Sequence, residues 1–106
     1  MKLKAAYFGY PPHLSFHCLK SHKEHMYYVY ILKSIKDSKL YIGSTDDLRR
    51  RLSEHNAAKV RSTKSRIPFE LRYYEAFYTE INARKRELSL KKDGKALGQL
   101  KRRIPE

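Results

Sequence analysis

Two short segments rich in tyrosine and β-branched residues, joined by a polar turn, constrain the fold of this chain more than any other feature. The segments from Tyr27 to Lys33 and from Leu40 to Ile42 have the composition of β-strands. Lys36 to Lys39, which lies between them, has the polar residues of a tight turn, so the sequence predicts a hairpin. Because side chains alternate along a strand, Tyr28 and Tyr30 are expected on the same face.

The residues after this hairpin predict an alternation of helix and strand. Hydroxyl and acidic residues from Ser44 to Asp47 favour a helix start, because they satisfy free backbone amides and suit the positive end of the helix dipole. The order strand, strand, helix, strand, helix indicates a small α/β domain. The later elements predicted are a helix from about Asp46 to Ala57, a strand from Phe69 to Tyr78, a helix capped by Thr79 that ends near Lys92 at Asp93-Gly94, and a short basic helix from Lys95 to Arg103.

The charge of the chain favours a nucleic-acid partner. Its 106 residues include 24 lysines and arginines against 11 acidic residues, which gives a formal net charge of +13. Such a charge supplies phosphate affinity that weakens with salt, but ribosomal proteins share it, so it does not distinguish enzymes from binding proteins. The single cysteine, Cys18, excludes an internal disulfide, and no apolar run approaches the roughly 20 residues that cross a bilayer. We therefore expect a cytoplasmic protein without membrane contact.

The segment before Met26 differs from the rest of the chain. Pro11-Pro12 interrupts regular structure there, and no apolar period persists. We expect residues 1–25 to form a flexible extension and residues 26–106 to form the folded domain. Zinc binding by this segment is the alternative, since histidine and cysteine are the usual ligands, but their spacing matches no standard zinc finger. The residues concerned are His13, His17, Cys18, His22 and His25.

Three polar side chains lie on helix faces that should pack against the core. In the first predicted helix, Leu48, Arg51, Leu52 and His55 follow the i, i+3, i+4, i+7 spacing of a buried stripe. Arg51 and His55 are therefore distinguished by direction from the other charges of that helix. In the second helix, Glu87 lies on an apolar stripe, where an unpaired carboxylate would be costly and a metal ion or a neighbouring cation would remove that cost.

Two strand motifs and three later side chains carry a resemblance to a known family: Tyr28-Val29-Tyr30, Tyr41-Ile42-Gly43, Arg51, His55 and Glu87. At these positions the chain resembles the GIY-YIG nuclease superfamily, most of all its small single-domain bacterial members, and the likeness covers roughly residues 26–103. The resemblance implies a small three-stranded, largely antiparallel sheet flanked by helices, with the site at its centre. It also implies an endonuclease that hydrolyses DNA with one Mg²⁺ or Mn²⁺ ion, in DNA repair, recombination or processing.

The resemblance further implies a role for each side chain. Tyr30 and Tyr41 would lie beside the attacking water, one of them as general base, while Arg51 would bind the phosphate. Glu87 would be the sole protein ligand of the divalent cation. Because a free tyrosine has a pKa near 10, it can act as base only where a nearby charge or hydrogen bond favours the phenolate. His55, which stands where some members have tyrosine, could instead take the proton directly.

Three positions depart from the family pattern, and they leave alternatives open. Tyr28 replaces the first glycine of the first motif, Ser44 stands where some relatives have lysine, and no asparagine follows Glu87. The missing asparagine motivates a non-catalytic nucleic-acid-binding module, and the charge motivates a ribosome- or RNA-associated basic protein. Taken singly, Arg51 also suits a solvated basic face and His55 a surface position. Glu87 could equally form salt bridges at helical spacing with Arg84, Arg86 or Lys91.

Basic residues near these motifs are predicted to bind nucleic acid: Arg49, Lys59, Arg61, Lys64 and Arg66. Lysine and arginine in such a loop position the phosphate backbone without selecting bases. Nothing outside the motifs has the pattern of a recognition helix or finger, so we expect weak sequence selectivity. DNA is favoured over RNA by the resemblance alone, and no protein partner is indicated.

Overall fold

The computed structural model of the protein describes residues 25–104 and contains three strands and three α-helices in that range. The elements are β1 (Tyr27–Ser34), β2 (Leu40–Thr45), α1 (Leu48–Asn56), β3 (Phe69–Phe77), α2 (Glu80–Lys92) and α3 (Gly94–Lys101). The strands form one antiparallel sheet in the order β2-β1-β3. The predicted fold class, a small three-stranded antiparallel sheet flanked by helices, is confirmed. The predicted extension and its zinc alternative lie outside the described residues except for His25.

The central strand β1 divides the interior into two halves, because its side chains alternate between the faces of the sheet. Val29 and Ile31 point to the first half, which we call the apolar face. Tyr30 and Leu32 point to the second, which we call the polar face because buried His55 and Thr63 lie in it. The buried residues of the apolar face are Val29, Ile31, Ile42, Ala83, Leu90 and Leu100.

Helix α1 begins later than predicted. Residues as far as Thr45 remain in β2, because the antiparallel pairing with β1 continues until Thr45 lies opposite Tyr28. The chain then turns, and the side chain of Asp47 caps the helix by accepting a hydrogen bond from the Arg50 amide at 3.1 Å. The helix predicted from about Asp46 therefore begins at Leu48, with Asp47 as its cap, while Thr45 Oγ1 accepts a hydrogen bond from the Asp47 amide at 3.1 Å and Ser44 stays in the strand.

The two C-terminal helices begin with the caps expected of their sequences. Thr79 caps α2 by accepting a hydrogen bond from the Asn82 amide at 3.2 Å. Asp93 ends α2 and also caps α3, as its carboxylate accepts from the Lys95 amide at 2.9 Å. The predicted break at Asp93-Gly94 is confirmed, although the last helix runs from Gly94 to Lys101 and not to Arg103.

The segment from residue 57 to residue 68 is anchored to the sheet at both ends. The Asn56 side chain accepts from the Phe69 amide at 2.7 Å and donates to the Phe69 carbonyl at 3.0 Å. Near the end of β1 and in the turn that follows it, Ser34 Oγ donates to the Arg66 carbonyl at 2.6 Å, and Arg66 Nε donates to Asp37 at 2.7 Å. These contacts fix a segment that the sequence describes only as polar and basic, and they hold it against α1.

Candidate active site

Tyr30 lies at the centre of the polar face with its hydroxyl directed at α1. The residue is 2% exposed, and its hydroxyl lies 3.0 Å from Nε2 of His55. Its ring packs over Gly43, the residue opposite it in β2. A Cβ at position 43 would overlap the Tyr30 hydroxyl, so the glycine of the second strand motif makes room for the tyrosine of the first.

His55 is buried and oriented by hydrogen bonds at both ring nitrogens. Beyond its contact with Tyr30, its Nδ1 lies 2.8 Å from the Thr63 hydroxyl. The pKa of His55 is lowered to about 4, first by burial and then by the positive charge of Arg51, while the negative charge of Glu54 opposes both effects. The imidazole is therefore neutral near pH 7 and keeps one lone pair that can accept a proton.

Arg51 links this pair to the open side of the site. Its guanidinium donates a hydrogen bond to the Tyr30 hydroxyl, which raises the pKa of Arg51, and its Nη1 donates to Glu54 at 3.0 Å. Burial raises the pKa of Tyr30 to about 12, although the hydrogen bond from Arg51 opposes that shift. Tyr30 is therefore a neutral phenol near pH 7, placed between a guanidinium and a neutral imidazole.

Tyr41 lies on the other side of the same histidine. Its ring meets the His55 ring edge-on, with 5.0 Å between the centroids, and its centroid lies 6.3 Å from that of Tyr30. The ring centroid of Tyr41 also lies 6.4 Å from that of Phe69. The structure thus brings together Tyr30, Tyr41, Arg51 and His55, the four side chains predicted from the sequence to take part in catalysis.

Glu87 of α2 reaches the same region from the other face of the sheet. Ser44 Oγ donates to its Oε1 at 2.6 Å, and Lys91 Nζ donates to its Oε2 at 2.7 Å. Burial alone would raise the pKa of Glu87, but these two hydrogen bonds outweigh it, so the pKa lies below its ordinary value and the group is a carboxylate. Of the salt bridges considered from the sequence, the one to Lys91 is present, whereas Arg84 pairs with Glu80 and Arg86 with Glu75.

The surroundings of Glu87 suit an ion held by a single protein carboxylate. Within residues 25–104, no three or more histidine, cysteine or acidic side chains cluster as a ready metal site. Mg²⁺ commonly binds through one or two carboxylates and completes its shell with waters and substrate phosphate oxygens. Ser44 adds a hydroxyl beside Glu87, and half-exposed Lys91 can leave Oε2, so the donor set fits such an ion.

An open groove of about 430 Å³ runs between α1 and α2 next to these groups. Arg51 and Ser44 both border it, and Ser44 in turn donates a hydrogen bond to Glu87. Its lining residues include Tyr27, Ser44, Thr45, Arg50, Arg51 and Arg84.

The residues predicted to bind nucleic acid fall into two groups. Arg49, Lys59, Arg61 and Lys64 are exposed, as a phosphate-binding surface requires. Arg66 is partly buried, donates to Asp37 and lies over the Phe69 ring at 5.4 Å, so its guanidinium also holds the loop in place.

In the described part of the chain, no helix is both long and apolar enough to cross a bilayer.

Several contacts at the site have no clear signal in the sequence. Thr63 stands among lysines and arginines in a loop, yet it is fully buried against His55. Ser44 and Lys91 bind Glu87, and Glu54 binds Arg51. The i, i+3 and i, i+4 spacings on the helices could have suggested the pairs with Lys91 and Glu54. No local pattern indicates the contact of Ser44, which joins residues far apart in the chain, or that of Thr63, which joins an irregular loop to a helix.

Comparison with known proteins gives consistent matches. The family described as the GIY-YIG catalytic domain matches residues 26–102. A UPF0213 protein of Bacillus pumilus is 41% identical over 70 residues, which cover 65% of this chain and 70% of that protein. One from Lactiplantibacillus plantarum is 42% identical over 73 residues, covering 66% and 71%. The solution NMR structure of a UPF0213 protein from Bacillus halodurans shares 35% identity, with a TM-score of 0.45 over 71% of this chain and 81% of that one.

Proposed function

The chain belongs to the GIY-YIG family of catalytic domains, and from this we propose that residues 26–106 form a metal-dependent endonuclease that hydrolyses DNA phosphodiester bonds. One observation supports this activity above the others. The buried Tyr30 hydroxyl lies between a neutral imidazole and a guanidinium, and Ser44, which borders the neighbouring groove, donates a hydrogen bond to the Glu87 carboxylate. A structural tyrosine needs no such set of partners, whereas hydrolysis needs a proton acceptor and a cation together.

Tyr30 and His55 would activate the attacking water together. The water oxygen attacks phosphorus as the bond from phosphorus to the leaving oxygen breaks, the water proton passes to the Tyr30 oxygen, and the Tyr30 proton passes to Nε2 of His55. Tyr30 therefore never has to exist as a free phenolate, which its pKa of about 12 would oppose. The low pKa of His55 depends partly on the charge of Arg51. A phosphate bound to Arg51 neutralises that charge, so substrate binding makes the imidazole a stronger base.

Arg51 would bind a non-bridging phosphate oxygen, and Glu54 holds its guanidinium from the other side. Glu87, assisted by Ser44, would hold one Mg²⁺ or Mn²⁺ ion, which supplies charge stabilisation for the leaving oxygen. Tyr41, edge-on to His55, would border the attacking water and keep the imidazole in place. This division of roles uses each of the five side chains at the position where it lies.

The substrate would be DNA bound mainly through its backbone. The net charge of +13 and the exposed Arg49, Lys59, Arg61 and Lys64 supply contacts to phosphates that do not depend on sequence. We therefore propose low sequence selectivity, as suits a nuclease of DNA repair, recombination or processing that selects the shape of its substrate.

A cleavage panel tests the proposal. Labelled duplex, single-stranded, flapped and branched DNAs, with a structured RNA added, are incubated with the full chain in Mg²⁺, Mn²⁺ or EDTA. The variants are Arg51→Ala and Glu87→Ala, and binding is measured alongside cleavage. Two matched variants remove the same charges elsewhere: Arg102→Ala, at the end of α3, and Glu70→Ala, on β3.

We expect metal-dependent cleavage by the wild type, a loss of at least about 100-fold in Arg51→Ala and Glu87→Ala, and near-normal cleavage in the two matched variants. DNA binding should persist in all of them. Absence of cleavage of every substrate, with equal DNA binding by all proteins, would overturn the proposal and favour a binding module. Metal-independent, tight binding to the structured RNA without cleavage would favour the RNA-associated alternative.

A further inference from the structure

Thr63 has no assigned role, and its position points to one in the proposed reaction. We propose that Thr63 is a positioning residue: its hydroxyl accepts the Nδ1 proton of His55 and thereby presents the Nε2 lone pair to Tyr30. The inference rests on the proposed function for its catalytic consequence, but the tautomer it assigns is a property of the resting protein. Three contacts carry it, at 2.8 Å from Thr63 to His55, 3.0 Å from His55 to Tyr30, and 3.4 Å from Thr63 to the Val60 carbonyl.

Two sets of hydrogen-bond directions are possible along these contacts, and counting the protons selects one of them. In the first, Thr63 donates to the Val60 carbonyl, His55 Nδ1–H donates to Thr63, and Tyr30 donates to Nε2. Arg51 then donates to the Tyr30 oxygen, and every proton of the chain has an acceptor. All of these groups are buried or partly buried, where a donor without an acceptor is costly.

The second arrangement reverses both hydrogen bonds of the His55 imidazole and leaves a group unsatisfied. Thr63 would donate to Nδ1, and Nε2–H would donate to the Tyr30 oxygen, which already accepts from Arg51. The Tyr30 proton would then have no acceptor among the contacts of this residue in the described part of the chain, although Tyr30 is 2% exposed. Nε2 would also carry a proton and could not take another from Tyr30. The first arrangement is therefore favoured in both energy and function.

The position of Thr63 also connects DNA binding to the site. It lies between Arg61 and Lys64, two exposed cations of the loop proposed to bind phosphates, while its own side chain is fully buried on His55. The loop is held on the sheet by Asn56 at one end and by Arg66 at the other. Thr63 is thus the point at which this DNA-facing loop contacts the imidazole, and it keeps the ring aligned when the loop carries DNA.

The tautomer can be measured directly by ¹⁵N NMR of the full chain. Long-range proton–nitrogen spectra of histidine-labelled protein distinguish the protonated ring nitrogen from the one with the lone pair, and His55→Gln identifies the His55 signals. We expect a protonated Nδ1 and an unprotonated Nε2 in the wild type near pH 7. A protonated Nε2 there would overturn the assignment whether or not the protein cleaves DNA.

Two substitutions separate the hydroxyl from the packing of Thr63. Thr63→Val keeps the shape and removes the hydroxyl, whereas Thr63→Ser keeps the hydroxyl and removes a methyl group. We expect Thr63→Val to show mixed or reversed tautomers and a kcat about 10- to 100-fold lower, with DNA affinity unchanged, and Thr63→Ser to keep the wild-type tautomer and most of its kcat.

Equal behaviour of the two variants in tautomer and kcat would show that Thr63 only fills space. A loss of DNA affinity with normal kcat would show that it only anchors the loop. If the wild type cleaves nothing, the proposed function fails, and the NMR comparison still decides the hydrogen-bond direction. Should Thr63→Val fail to fold, the wild-type and Thr63→Ser spectra suffice for that decision.

Discussion

Both faces of the sheet carry fully buried side chains, but the chemical groups on the two faces differ. On the apolar face, Ile31 is fully buried among hydrocarbon side chains, while on the polar face His55 is fully buried among hydroxyl, phenol and guanidinium groups. Both faces are built from alternate residues of the same strand. Burial on the apolar face stabilises the fold through packing. Burial on the polar face also sets protonation states, because the polar groups there form hydrogen bonds with one another and shift one another's pKa. Substitutions on the two faces should therefore differ in what they change.

The largest expected effect is on the polar face. Tyr30→Phe keeps the ring but removes the hydroxyl that contacts His55 and Arg51. We expect kcat for DNA cleavage to fall about 100- to 10,000-fold, while the free energy of unfolding changes by only about 1 to 2 kcal/mol. Single-turnover cleavage and urea unfolding measure the two quantities. Near-normal cleavage by Tyr30→Phe would remove Tyr30 from the proposed mechanism and leave Tyr41 or a substrate-bound water as the alternative.

The reverse pattern is expected on the apolar face. Leu90→Ala, at a residue that is 1% exposed, leaves a cavity under α2 and should lower the free energy of unfolding by about 2 to 5 kcal/mol. Because the side chain of Leu90 belongs to the apolar cluster and takes no part in the hydrogen bonds of the site, kcat of the folded fraction should stay within about threefold of wild type. Calorimetry and cleavage by the same preparation give both values. A kcat loss as large as that of Tyr30→Phe would show that the faces are not independent.

The third effect is the pH dependence of stability that His55 on the polar face contributes between pH 7 and pH 5. The pKa of His55 is about 4 when folded and near 6.5 when unfolded, so the unfolded chain binds the extra proton first as pH falls. The stability that neutral, buried His55 contributes is complete above pH about 6.5 and is lost as the pH falls towards 4. Its loss between pH 7 and pH 5 should reduce the free energy of unfolding by about 2 kcal/mol.

Urea unfolding of wild type and His55→Gln at pH 7 and pH 5 measures that contribution. His55→Gln should be less stable at pH 7 and should lose less stability on acidification. Leu90→Ala serves as the control, because it should keep the wild-type pH dependence at a lower overall stability. An identical loss of stability in wild type and His55→Gln between pH 7 and pH 5 would mean that folding does not lower the pKa of His55.

The smallest effect is expected at the exposed cations outside both faces. Replacing Lys59, Arg61 and Lys64 with glutamine should reduce the slope of log affinity against log salt by about 0.9 for each duplex phosphate contact that is lost. Cleavage at saturating DNA should be unchanged. The matched variant replaces Lys33, Lys39 and Lys101, which line a cleft beside α3, and should alter the slope less. Equal slopes for the two variants would show that the loop has no special place in DNA binding.

The sequence predicts the strands well, and the side chains that it selects on the first helix and the two strands lie together, because both depend on short-range alternation. Tyr30 follows from the period of a strand, and His55 from the period of a helix. The start of α1 was predicted too early, since the pairing of Thr45 with Tyr28 is a contact between two strands that local capping preferences do not include. Thr63 could not be predicted at all, because its burial requires the whole loop to fold back over α1.

The close packing of Tyr30 on Gly43 has a consequence for how chains of this kind can diverge. No glycine in residues 25–104 has a positive φ, so space alone, and not an unusual backbone conformation, excludes a side chain at position 43. A larger residue can be accepted there only after position 30 has lost its phenol. In a lineage that loses the proposed hydrolysis, the tyrosine should therefore change first and the glycine later, so a descendant with a bulky residue at position 43 is expected to lack that activity.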